Sequence, residues 1–179
     1  MIRKLAVFVL AILFPSCIVR AQEDPVNSIG LGGLYAVVGY YTYVEYEHFI
    51  SDNHSFGGRA GLIGYSYEDD EYTEDGSGLG VGAFYRWYFG QKPMGGFFVG
   101  IGAEFASTTW DYNDFYTGEG SGSSVSLAPT GQIGGRFNLG SSFFIAPSLV
   151  TGYFIAVSGD SESELGFFGG PNVVVGFRF

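Results

Sequence analysis

From about residue 27 to its end, the chain alternates apolar positions with small or polar ones at a period of two. At 78–89, Leu79, Val81, Ala83, Tyr85, Trp87 and Phe89 form an unbroken apolar row, while Gly78, Gly80, Gly82, Phe84, Arg86 and Tyr88 fill the places between. At 96–111, Phe97, Val99, Ile101, Ala103 and Phe105 stand against Gly100, Gly102, Glu104 and Ala106; at 124–137, Val125, Leu127, Pro129, Ile133 and Phe137 stand against Ser126, Thr130, Gln132, Gly134 and Arg136. Successive side chains of a strand point to opposite faces, so this period predicts strands. No sustained spacing of three, four and seven follows residue 22, and Gly recurs too often for helices. The pattern predicts eight strands, at about 27–38, 41–50, 55–67, 78–89, 96–111, 124–137, 142–157 and 171–179.

Their connections fall into two classes. "SDNH" (51–54), "GQKPMG" (90–95) and "NLGS" (138–141) are short and rich in turn formers. "EDDEYTEDGS" (68–77), "YNDFYTGEGSGS" (112–123) and "SGDSESELGFFGG" (158–170) are long and acidic, and a tight first hairpin is expected at Gly39–Tyr40. Short and long connections alternate, so one end of the molecule is trim and the other carries loops.

The charges sit on the face that is otherwise Gly, Ala and Ser, and the opposite face is apolar without a break. A water-soluble barrel would need solvent-facing Lys, Glu and Thr on its strands. The inverse arrangement, apolar outward and polar inward, suits a wall between lipid and a confined lumen. Phe56, Trp87, Phe89, Phe97, Phe137, Phe143, Phe177 and Phe179 all fall on the apolar face beside the short turns, where an interfacial aromatic girdle belongs. The expected fold class is therefore all-β: a closed, eight-stranded, antiparallel up-and-down transmembrane β-barrel, which leaves no backbone group unpaired in lipid.

Composition sharpens the picture at the N-terminus. Arg3 and Lys4 precede an apolar run from Leu5 to Phe14, and Val19 and Ala21 occupy the −3 and −1 positions of a cleavage site before Gln22. The run is too short to span a bilayer, so residues 1–21 read as a secretory signal peptide, 22–26 as a short periplasmic lead and 27–179 as the barrel. Lipoprotein processing at Cys17 is the alternative, weakened by the "FPS" before it, which lacks the usual Leu. Past residue 21 the chain keeps 18 acidic residues and five basic ones (Arg59, Arg86, Lys92, Arg136 and Arg178), a formal charge of 5 − 18 = −13. That balance excludes nucleic acid as a partner, and without another cysteine the exported chain must be stable without disulfides.

With these features the chain resembles the small eight-stranded outer-membrane β-barrel proteins of diderm bacteria, the OmpA/OmpX-like, porin-like "outer membrane protein β-barrel domain" group. The likeness covers roughly residues 27–179 and is carried by the signal peptide, the amphipathic strands, the alternating connections, the hairpin-like stretches "VEYEHFISDNHSFGGRAGLIGY" and "GAFYRWYFG", and the terminal "VVVGFRF". It implies an integral protein of the bacterial outer membrane, in contact with its lipid. It also implies that the last strand, with Val175, Phe177 and Phe179, is read by the barrel-insertion machinery. The group shares no catalytic site to carry over.

Arg59, Arg86, Arg136 and Arg178 have inward parity, as do Glu45, Glu47 and Glu104, and counting back from the 51–54 turn sets Glu47 opposite Arg59. Charges in so narrow an interior must pair. The expectation is a network of these seven residues, completed by Gln132 and tyrosine hydroxyls. It either plugs the lumen, leaving a structural or surface-interaction role, or lines a narrow path for small cationic solutes. In "EDDEYTED", Glu68, Asp69, Asp70, Glu71, Glu74 and Asp75 form a solvated acidic surface, a weak candidate for divalent cations that lacks the register of a calcium loop, or a patch for a basic partner. His48 falls on the outward face and His54 in a turn, and the Gly-rich stretches lie inside strands with no helix following. No catalytic constellation and no cofactor motif emerges, so an enzyme is not expected. A monomer is.

Overall fold

The computed structural model describes residues 27–36, 39–89, 95–116, 118–159 and 166–179. The expected signal peptide and lead, Cys17, Lys92, Asp160, Glu162 and Glu164 lie outside the described residues.

Eight strands follow one another in chain order: β1 (Asn27–Ala36), β2 (Gly39–Ser51), β3 (His54–Glu68), β4 (Tyr72–Phe89), β5 (Gly96–Asp114), β6 (Gly118–Leu139), β7 (Phe143–Gly159) and β8 (Gly166–Arg178). Each pairs antiparallel with its sequence neighbour, and β1 closes on β8 from Ser28↔Arg178 to Leu34↔Asn172. Backbone bonds between Asn27 and Phe179, in both directions, seal that seam at its end. The predicted all-β, eight-stranded, up-and-down barrel is the observed one.

The inside-out reading holds strand by strand. Leu79, Val81, Trp87, Phe97, Ile101, Ile133, Leu149 and Val175 are exposed on the outer wall. Alternate positions, among them Phe84, Arg86, Tyr88, Phe98, Glu104, Arg136, Phe144 and Val174, are buried inside. The aromatic band at the short-turn end is outward as well: Trp87 packs on Phe89 with ring centroids 4.7 Å apart, and Phe143 on Phe177 at 4.3 Å. Within it His54 stacks on Trp87 and bonds the Tyr85 hydroxyl at 2.6 Å, and outward His48 bonds Asn27 at 2.8 Å.

Two features depart from the sequence reading. The acidic stretches 68–77 and 112–123 are not long loops. β3 runs to Glu68 and β4 resumes at Tyr72, while β5 runs to Asp114 and β6 resumes at Gly118, so the acids stand mostly on paired strands. Crossing a bilayer takes only about 9–11 tilted residues, whereas β5 has 19 and β6 has 22, and the surplus forms hairpin arms beyond the apolar belt. The arms need no apolar face, because their ladders form in water, where acids and Gly are as acceptable as Val. The first hairpin also reverses earlier than expected, since Gly39 already pairs with Ala36.

Inward glycines set how closely interior side chains approach the wall. A Cβ at Gly82 would collide with the Glu104 carboxylate, and one at Gly57 with the Phe84 ring. Both positions are room for a larger neighbour rather than sites of unusual backbone.

Candidate functional site

The interior divides into two levels. Toward the short turns, β2, β4 and β6 bring four charged side chains into one layer, ringed by aromatics from β2, β4, β5 and β7. Arg86 holds Glu45 in a two-pronged pair, Nη1 to Oε1 at 2.6 Å and Nη2 to Oε2 at 2.8 Å, and reaches the Gln132 Oε1 at 3.2 Å. Glu47 is surrounded by donors: Oε1 accepts from the Ser55 and Tyr88 hydroxyls at 2.5 and 2.8 Å, and Oε2 from Arg136 Nη1 at 2.6 Å, with Arg86 Nη1 at 3.2 Å. Such shared, charge-assisted bonds offset the large desolvation cost of the ions. The arginines are also clad in rings, Arg86 lying 4.1 Å from the Phe84 centroid and Arg136 3.6 Å from that of Phe144. Arg86, Arg136, Glu47, Tyr88, Phe98 and Phe144 are each at most 2 % exposed.

One step up the barrel, Arg59 on β3 pairs with Glu104 on β5 over Gly82 of the intervening β4. The Arg59 guanidinium lies 5.1 Å from the Tyr43 ring, and the Tyr43 hydroxyl donates to Asn172, which in turn donates to Ser148. Glu47 is not opposite Arg59. The register is irregular between Phe49 and Ser51, and beyond that bulge Arg59 faces Glu45 while Glu47 faces Gly57. Arg59 and Glu104 lie on one register row with Gly82 between them and meet over its missing side chain, whereas Arg86–Glu45 and Arg136–Glu47 join non-neighbouring strands off any shared row.

Arg178 departs from the expected network. It keeps the inward parity, opposite buried Ser28, but its guanidinium donates to the backbone carbonyls of Gly140 and Ser141 at 2.8 Å each, capping the β6–β7 turn. Both oxygens of Glu47 are already taken at that level by Arg136, Tyr88 and Ser55. Sequence reasoning also passed over Ser55, Tyr43, Asn172, Phe49 and Phe98. Their parity, shared with the arginines, was the available signal.

Above the Arg59–Glu104 pair the lumen opens into a cavity of about 540 Å³ on the long-connection side. Glu74 lines it, accepting from the Tyr65 hydroxyl at 2.8 Å and from that of Tyr72. The other acids of 68–75 do not gather. Asp69 Oδ1 accepts the backbone N–H groups of Glu71 and Tyr72 at 3.0 and 2.8 Å, which hold its carboxyl below the usual range, and Glu71 accepts from Tyr116 at 3.1 Å. Among the described residues no three carboxylate or His side chains converge as metal ligands would. At the C-terminus, Val175 and Phe177 lie on the outer wall, Phe177 against Phe143.

No family model and no curated protein matches the chain. Solved structures do. The N-terminal β-barrel domain of Pseudomonas aeruginosa OprF is 19 % identical over 88 % of this chain and 100 % of its own, with a TM-score of 0.54. Ail, the attachment invasion locus protein of Yersinia pestis, is 16 % identical over 86 % and 96 %, also at 0.54. Acinetobacter baumannii CarO is 12 % identical over 88 % and 100 %, at 0.54. The chain thus shares, across nearly its whole barrel, the fold of small outer-membrane β-barrel proteins.

Proposed function

We propose that the chain is an integral protein of the bacterial outer membrane, its N-terminus periplasmic and its hairpin arms outside, acting as a surface-exposed anchor for interactions rather than as a conduit. The likeness of fold and the apolar outer belt support the location. The observation that carries the closed lumen is the buried layer of Arg86, Arg136, Glu45, Glu47, Tyr88, Phe98 and Phe144. Opening a path there would separate buried ions that hold one another. Val175, Phe177 and Phe179 end the closing strand on the lipid side and serve as the insertion signal. The arms suit basic partners. Glu68, Asp69, Asp70, Glu71, Glu74, Asp75, Asp111, Asp114 and Glu119 lie on or between them, with no Lys or Arg among the described arm residues. A polyanion such as the heparin analogue bound to Ail would be repelled here.

Conductance tests the closed lumen. Purified barrel inserted into planar lipid bilayers should show no stepwise current above that of the bare membrane. Reproducible single-channel steps, larger for cations, would replace this reading with that of a narrow cation channel.

A further inference from the structure

The cavity above the Arg59–Glu104 pair has a built chemistry that the closed lower layer does not use. Eight of its lining residues are aromatic, among them Tyr41 on β2, Tyr65 on β3, Tyr72 on β4, Trp110 on β5, Phe154 on β7 and Phe168 on β8. Phe154 and Phe168 stack with centroids 4.4 Å apart. The β5–β6 side adds the hydroxyls of Thr108, Ser124, Ser126 and Thr130. At about 540 Å³ the space is of the size that takes a small molecule.

Its charge is one-sided. Arg59 is the lone basic residue of the lining, and Glu104 neutralises it; Glu74 remains in excess. The acidic arms continue from this end of the barrel, so the field inside the low-dielectric wall is negative. Glu104 is 7 % exposed and meets Arg59 and the Tyr41 hydroxyl at the floor of the cavity, so the charge left over in the lining is that of Glu74. An anionic ligand would find no unpaired cation here. A neutral apolar one would leave the charge of Glu74 without a counterion. A cation on an apolar body suits the lining better: ring faces attract it, and Glu74 balances its charge.

We propose that this vestibule binds small organic monocations, an ammonium group on an aromatic or aliphatic body, from the outer side of the membrane. The inference rests on the lower layer being a closed floor. Conductance tests the floor and equilibrium binding tests the vestibule, so the two can fail separately.

The chain has two tryptophans, Trp87 and Trp110, so a Trp87→Phe protein refolded in detergent leaves Trp110 as the reporter inside the cavity. Three probes of similar shape and different charge are titrated against its emission: phenethylammonium, phenethyl alcohol and 3-phenylpropionate. Phenethylammonium should bind saturably, and the other two at least about tenfold more weakly, the difference one charged hydrogen bond makes. Glu74→Gln should weaken the ammonium probe by about tenfold without changing the alcohol. Ser126→Phe, which fills the space, should abolish saturable binding. Equal affinity for all three probes would mean apolar partitioning and would overturn the proposal, as would preference for the carboxylate, or no saturable ammonium binding by protein that still migrates as a folded barrel.

Discussion

Arg86 decides most at the scale of single residues, because it holds Glu45 with both prongs and also touches Glu47. Removing one partner of a buried pair leaves an uncompensated charge, which costs about 3–5 kcal/mol, whereas neutralising both partners costs far less. Arg86→Leu should therefore lower urea-unfolding stability in detergent by about that amount, and adding Glu45→Gln should restore part of it. A pair that contributed nothing would leave the single variant at wild-type stability. The sequence showed which face these residues occupy, since parity is rigid along a strand. It did not show who meets whom. Arg59–Glu104 bridges the strand between its partners over Gly82, and the irregularity between Phe49 and Ser51 accounts for only one of the two residues by which the pairing counted from the turn is displaced. Arg178 escaped because a long side chain at the end of its strand reaches turn carbonyls that parity cannot foresee.

At the scale of elements, each long strand joins two solvents. In β5, Phe97 to Phe105 carries the apolar outer row, and Ile101 at its middle is 69 % exposed on the outer wall. Beyond it, Thr109, Asp111 and Asn113 continue the same face into the arm. A charge at the bilayer midplane costs about 2–4 kcal/mol and near the interface about 0–1. Ile101→Arg should therefore destabilise the barrel in lipid vesicles by about 2–4 kcal/mol, and Asn113→Arg by less than about 1 kcal/mol. Equal effects at the two sites would put the belt elsewhere. Strand number and order were legible from period-two alternation, but strand length was not. Acids and Gly mark loops in most chains; here Glu74, Asp75, Asp111 and Glu119 sit in ladders, because pairing outside the membrane needs no apolar face.

The whole molecule is a wall with two interiors. The buried layer of Glu45, Glu47, Arg86 and Arg136 lies in the half near the short turns, and an aromatic-lined cavity in the half near the arms. The first was foreseeable as a set of inward charges. The second was not, because a cavity is defined by what is missing between side chains on all eight strands, and no short motif records that. Both rest on one claim: the chain closes into a barrel with its apolar face outward. Electrophoretic mobility after refolding in detergent tests that claim most directly. A closed barrel resists dodecyl sulfate until boiled, so the unheated sample should run as a compact, faster band and the boiled sample as a slower one. Identical mobility before and after boiling, from protein refolded under several detergents, would contradict it.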